Sequence, residues 1–253
     1  RVLRVGVKYV QLALSPVVRN PEAWANVGSL LRDAGIEVIS GMVEPVGEDY
    51  TSLESIRLTG GIVPDKNWSE NWDHFLKIAE LARSLKLSLV TFHAGFVPHE
   101  PQTEGYQKLR DRIQQIAAMF RDNGMTLGLE TGQETAQHLR VFLDHLHCPN
   151  VRVNYDPANI LLYGNGDPIQ VIGILAPYIY QCHLKDAVRT KVPGTWGTEV
   201  TVGTGEVDWT QFFTRLKEIG FKGDFSLERE AGNQRIEDLV SGRKLAEEIM
   251  AKL

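Results

Sequence analysis

Residues 151–159, VRVNYDPAN, read as a strand that closes on Asp156, a residue of metal-ligand type. Three other segments have the same form: TLGLETG (126–132) closes on Glu130, YQCHLKD (180–186) on His183 and DFSLERE (224–230) on Glu228. If the four are parallel strands of one sheet, their C-terminal ends lie side by side, and three carboxylates and an imidazole meet at one point. Like charges gathered in a low-dielectric pocket repel, so such a cluster requires either protonation or a divalent cation. The successive spacings are 26, 27 and 45 residues. One strand, loop and helix takes about the shorter of these lengths, so the four residues fall at equivalent places on four consecutive strands.

Outward from this cluster, strand-like and helix-like segments alternate along the whole chain. The expected strands are 6–14, 36–43, 87–94, the run to Glu130, 151–155, 179–184 and 224–228. Expected helices include 21–33, opened by Asn20 as N-cap with Pro21 in the first turn, then 69–85 and 107–122, and later 168–175, 209–219 and 236–252. The polar stretch 44–69 is too long for an ordinary connection and lies where a barrel carries a functional loop; its IRLTGG segment is a candidate lining of the site. The loop 188–208 is the second such segment. The fold class that follows is α/β, a (β/α)8 TIM barrel in one domain over residues 1–253. Seven strands are one short of closure. Residues 1–4 read as the tail of a helix, which places the first strand and most of its helix ahead of Arg1. An open seven-stranded sheet is the alternative.

Composition narrows the partners. The 27 basic and 32 acidic residues make a mildly acidic chain without a basic face, which argues against nucleic acid. No run of about 18 apolar residues occurs, so no membrane span is expected, and the cytoplasm is the favoured compartment. Cys148 and Cys182 are too few and too far apart for a disulfide framework or a CxxC site, and read as packed thiols.

An oxygen-rich ligand set with one imidazole suits one divalent ion in a site open to substrate. Mn²⁺ is favoured, and Mg²⁺, Co²⁺ and Zn²⁺ are compatible. The chain then resembles the xylose isomerase-like TIM barrel superfamily of sugar phosphate isomerases and epimerases. The resemblance lies in FHAG (92–95), GLETG (128–132), NYDPAN (154–159), HLKDA (183–187), GTGEVDW (203–209) and SLERE (226–230). It implies that Glu130, Asp156, His183 and Glu228 hold the metal and that Glu130 and Glu228 form the proton-transferring pair. The implied reaction is isomerisation or epimerisation of a keto sugar or sugar phosphate through an enediolate. The alternative is a lyase or dehydratase acting on a 3-keto sugar, a keto-glycoside or a keto-inositol, in which the enolate expels a leaving group. A degenerate barrel that binds sugar without turnover is the reading outside enzymology. The related DNA-repair branch uses extra histidine and aspartate ligands. At the corresponding places this chain has Asn159, Gly197 and Glu199.

The expected substrate-binding residues are His93, Asn159, Lys185, Trp196 and Glu230. His93 either contacts substrate or is a buried structural histidine, and Asn159 holds a hydroxyl or caps the following turn. Lys185 shares a face with His183, where it meets a substrate oxygen or pairs with a ligating carboxylate. Trp196 is a candidate sugar wall and Trp209 a core residue. Glu230 faces the same way as Glu228. Gly203-x-Gly205 is a weak phosphate signal. Lys185, Arg189, Lys191, Arg229 and Arg235 offer cations near the expected mouth. His74, His138, His145 and His147 read as surface histidines. Barrels of this kind often pair, so a homo-oligomer is open.

Overall fold

The structure, a computed structural model, describes residues 2–192 and 194–253. Arg1 and Pro193, which belong to the expected helix tail and to the 188–208 loop, lie outside them. The strands are β1 (Tyr9–Ala13), β2 (Glu37–Val43), β3 (Leu89–Phe92), β4 (Thr126–Glu130), β5 (Val151–Tyr155), β6 (Ile179–Leu184), β7 (Asp186–Val188), β8 (Thr198–Val200) and β9 (Asp224–Leu227). The helices are α1 (Val2–Val5), α2 (Leu14–Arg19), α3 (Val27–Asp33), α4 (Leu53–Thr59), α5 (Asp65–Ser84), α6 (Glu104–Asp122), α7 (Ala136–Leu146), α8 (Pro157–Leu162), α9 (Pro168–Leu175), α10 (Trp209–Glu218) and α11 (Arg235–Met250). Seven strands form one sheet in the order β1-β2-β3-β4-β5-β6-β9, while β7 and β8 form a separate antiparallel pair. All seven expected strands are present. By packing, the chain divides into two compact units, one of Val7–Glu130 with Val141–Arg152, the other of Arg1–Gly6, Thr131–Arg140 and Val153–Leu253. Among the described residues no helix is long and apolar enough to cross a membrane.

In the first unit β1 to β4 run parallel. Every residue of β3 is buried, as are the last four of β4, which is why these segments are apolar on both faces. The register sets Phe92 level with Leu129, so His93 and Glu130 follow at the same height. The expected helix over 21–33 is corrected. Helix α2 starts directly off β1 at Leu14, Asn20 is its C-cap with its N–H on Pro16 O, and helix resumes only at Val27. Burial overrides local propensity here, since Leu14, Ser15 and Val17 are all buried. Gly41 makes room for it: a Cβ there would stand 2.3 Å from Leu14 Cδ1. The long polar stretch also contains more structure than expected. Ser52 caps α4, its Oγ accepting from Ser55 N–H at 3.0 Å, and α5 begins at Asp65.

His74, read as a surface residue, is buried on α5 with Nε2 2.9 Å from Ser15 Oγ, because α5 packs against α2. Ser15 Oγ also donates to Glu44 O at 3.1 Å and accepts from Glu44 N–H at 2.9 Å, tying the end of β2 to α2. Burial pushes the imidazole down to about 4, helped by Arg19 and Lys77 and opposed by Glu44.

In the second unit β5, β6 and β9 are parallel. Tyr155 pairs with Cys182 and Leu184 with Leu227, so Asp156, His183 and Glu228 emerge at neighbouring levels. Trp209 is buried, as expected of a core residue, with Phe212 at 5.0 Å and Phe213 at 6.1 Å between ring centroids. The 188–208 segment contributes β8, which pairs antiparallel with β7, and its last part closes on Asp186. This buried carboxylate accepts five hydrogen bonds. Oδ1 takes Ala187 N–H (2.9 Å) and Val207 N–H (3.2 Å). Oδ2 takes Gly203 N–H (2.8 Å), Gly205 N–H (3.1 Å) and Trp209 Nε1–H (3.0 Å). The Gly-x-Gly turn is therefore an anion cradle whose anion is the protein's own side chain. Gly205 has no room for more, a Cβ there lying 2.1 Å from Asp186 Oδ1.

Two predictions follow from these buried groups. His74 is neutral in the fold where an unfolded imidazole, with its ordinary value of 6.5, takes a proton. Stability is therefore full above pH 6.5 and falls as pH drops toward 4, with a loss of about 2 kcal/mol by pH 5 in urea titrations. A His74→Gln variant lacks this component. Asp186→Ala leaves the 203–209 donors without an acceptor and is expected to lower the unfolding free energy by about 3 kcal/mol or more in the same assay, with Asp186→Asn losing less.

Candidate metal centre

In the second unit, Asp156 divides its two oxygens between two tasks. It is the N-cap of α8, and Oδ1 accepts from Ala158 N–H at 2.8 Å and Asn159 N–H at 3.1 Å. Oδ2 is fully buried and has no hydrogen-bond partner; it faces His183 Nδ1 at 3.6 Å and Lys185 Nζ at 3.7 Å. His183, also 0% exposed, contacts Asn154 Nδ2 through Nε2 at 3.0 Å and presents Nδ1 to Glu228 Oε2 at 3.2 Å. Lys185 Nζ lies 2.9 Å from Glu228 Oε2 and 2.7 Å from Glu230 Oε2. Thus Asp156, His183, Lys185, Glu228 and Glu230 are brought together, and Lys185 makes the ion pair that was one of its two expected roles. Glu228 retains 24% side-chain exposure, whereas Asp156 and His183 have none.

The donor set fits a divalent ion. Carboxylate oxygens and one imidazole nitrogen converge, and the Oδ2 of Asp156, which accepts no hydrogen bond and has Lys185 Nζ only at 3.7 Å, is a buried lone pair directed at them that a metal cation would answer.

Thr131, the residue after Glu130, is fastened to the same place. Its N–H donates to Asn154 O at 3.1 Å, its Oγ1 donates to Asp156 O at 3.2 Å and accepts from Asp156 N–H at 2.8 Å, and its carbonyl accepts from Asn159 Nδ2 at 3.2 Å. Asn159 therefore spends one amide hydrogen on backbone and its own N–H on the Asp156 cap. Trp196 meets Tyr163 edge to face, with centroids 4.8 Å apart.

In the first unit, His93 Nε2 stands 3.3 Å from Glu130 Oε1, with the glutamate side chain only 2% exposed. Glu48, which sequence reasoning missed, accepts from Gly61 N–H at 2.8 Å. Burial pushes its carboxyl above the usual range while the charge of His93 pulls it down. No spacing rule pointed to Glu48, because it lies in an irregular segment.

Other expectations are corrected. Arg229 is not a cation offered to substrate: its Nη1 pairs with Glu199 at 2.8 Å and its Nε with Asp238 at 2.9 Å, and Glu199 also accepts from Glu230 N–H and Ala231 N–H at 2.9 and 3.1 Å. Arg189 pairs with Glu206 at 3.3 Å. His138 pairs with Glu134 at 2.7 Å, and His145 meets the Tyr106 hydroxyl at 2.7 Å. Both cysteines are free thiols, as read from their number and spacing.

Known proteins have this architecture. A xylose isomerase domain protein from Planctomyces limnophilus is 32% identical with a TM-score of 0.92, over 98% of this chain and 90% of that one. A xylose isomerase-like TIM barrel protein from Mycobacterium smegmatis, solved in complex with magnesium, is 17% identical with a TM-score of 0.77, over 99% and 86%. The D-psicose 3-epimerase of Clostridium cellulolyticum H10, solved with D-tagatose, is 14% identical with a TM-score of 0.72, over 98% and 91%. The uncharacterized protein YihM of Escherichia coli K12 is 28% identical over 151 residues, which is 56% of this chain and 45% of YihM, so the match spans under half of that protein. The model of the xylose isomerase-like TIM barrel family matches residues 1–251, and with the strand order and strand-end residues described above the chain belongs to that family.

Proposed function

We propose that the chain is a divalent-metal-dependent isomerase or epimerase of a keto sugar or sugar phosphate. Glu130, Asp156, His183 and Glu228 are its metal ligands, with Mn²⁺ the favoured ion, and Glu130 and Glu228 its proton-transfer pair. The observation that carries this reading is the ligand geometry. Within the second unit, the fully buried Oδ2 of Asp156 accepts no hydrogen bond and faces His183 Nδ1 at 3.6 Å, and that nitrogen lies 3.2 Å from Glu228 Oε2. A divalent ion held there supplies Lewis-acid polarisation of a carbonyl, which acidifies the neighbouring C–H.

The residues themselves do the rest. One glutamate removes the proton beside the carbonyl to give the enediolate, and the other returns a proton to carbon. Asp156 and His183 only bind, since the first has its remaining oxygen committed to α8 and the second is fully enclosed. Lys185 supplies positive charge beside Glu228 and Glu230, with which it pairs, and meets a substrate oxygen in this reading. His93 and Asn159 contribute further polar contacts to the sugar, and Trp196, braced by Tyr163, offers it an apolar wall. The sugar epimerase among the structural neighbours supports a carbohydrate as the substrate class.

Elemental analysis of the purified protein is expected to find about one divalent ion per chain, with Asp156→Asn and His183→Ala lowering the content. Glu130→Gln is expected to cut turnover about 10³-fold with an unchanged circular dichroism spectrum. In D₂O, a panel of ketoses and keto-glycosides should yield isomerised sugar carrying deuterium on carbon. Release of water or aglycone would replace this reading with a lyase, and a metal-free protein with full activity would remove it.

A further inference from the structure

Two glycines, Gly61 and Gly95, bring the 44–62 segment onto the end of β3. At Gly61, with φ +63°, a Cβ would stand 2.1 Å from the carbonyl of Ala94; at Gly95, with φ +94°, a Cβ would stand 2.3 Å from Gly60 O. Backbone therefore lies directly on backbone, a contact that only residues without side chains allow. Ile62 N–H closes it by donating to Ala94 O at 3.1 Å. The N–H of the same Gly61 fixes Glu48 Oε1 at 2.8 Å, so the carboxyl is delivered to the strand end that carries His93, itself 3.3 Å from Glu130.

Most half-buried carboxylates of this chain are answered by a cation, as Glu199 is by Arg229 and Glu228 by Lys185. Among the described residues Glu48 forms no ion pair with a lysine or arginine. Its hydrogen-bond donors are uncharged, the Gly61 N–H and the Tyr50 hydroxyl, and the nearby positive charge that acts on it is that of His93. A carboxyl held in position by neutral donors, and left partly open to solvent, keeps acceptor capacity that protein cations would otherwise absorb.

We propose that Glu48 is a specificity-determining residue of the same site, accepting a hydrogen bond from a hydroxyl of the bound carbohydrate. This rests on the isomerase or epimerase reading above and extends it. A polyol offers a donor at every carbon, and a fixed acceptor discriminates between epimers because only one configuration aims its O–H at it.

The test uses the metal-loaded full chain and the variants Glu48→Gln and Glu48→Ala. The glutamine keeps an oxygen for Gly61 N–H, so its melting temperature should stay close to that of the parent. Its KM for the preferred ketose should rise about tenfold with kcat within about threefold, because a neutral acceptor replaces a charged one, and its discrimination between epimeric ketoses should narrow. Glu48→Ala should show the same KM effect with some loss of melting temperature. Parental KM and parental epimer preference in both variants would overturn the assignment, leaving Glu48 as a turn brace. If the parent turns over no sugar, the isomerase reading falls, and calorimetric binding of an alditol panel then decides Glu48. Weaker alditol binding by Glu48→Gln upholds the contact. Equal binding overturns it, as does no binding by any of the proteins.

Discussion

Two buried aspartates, Asp156 and Asp186, carry the constraint on which the rest of the structure depends: a carboxylate removed from water must be answered. Asp186 is answered in full, by five N–H donors from its own hairpin and the 203–209 turn. Asp156 is answered by half, with Oδ1 capping α8 and Oδ2 turned toward His183 and Lys185. The first arrangement makes a rigid joint. The second makes a place where positive charge is welcome, and the different saturation of two chemically identical groups separates architecture from chemistry.

The hydrogen bonds around these aspartates also set the precision of the site. Thr131 exchanges hydrogen bonds with the Asp156 backbone in both directions, so the strand end and the loop that follows Glu130 share one reference frame. Glu199 plays a comparable part for the chain after β9. It binds Arg229 and the next two backbone N–H groups, which leaves Glu228 and Glu230 on the other side, toward Lys185. Neither brace touches a reacting atom in the proposed mechanism, yet each limits the rotamers open to a residue that does.

The strand ends were legible because successive strand and helix units recur at 26 and 27 residues, with an added loop stretching the last interval to 45, and because buried runs such as LVTF and LGL are largely apolar. That rhythm put Glu130, Asp156, His183 and Glu228 at strand ends, which is where the structure has them. What the sequence hid depends on contacts between distant residues. Helix α2 forms because Leu14 is pulled into a hollow over Gly41, and His74 is buried because α5 covers α2. Glu48 depends on a backbone contact between Gly60–Gly61 and Ala94–Gly95, which no local pattern announces. The Gly-x-Gly turn was misleading for a similar reason: the geometry of an anion cradle was read correctly, but the anion proved to be Asp186, seventeen residues before Gly203.

The unequal shielding of the two glutamates bears on isotope bookkeeping. The Glu130 side chain is 2% exposed and that of Glu228 is 24% exposed. A hydron taken up by the first is better shielded from bulk water than one carried by the second. Under the proposed division of labour, label taken from a sugar by Glu130 is held for return to that carbon when the step reverses, and label passing through Glu228 is lost to water more readily. Forward and reverse reactions then carry different isotopic memories although they traverse the same enediolate.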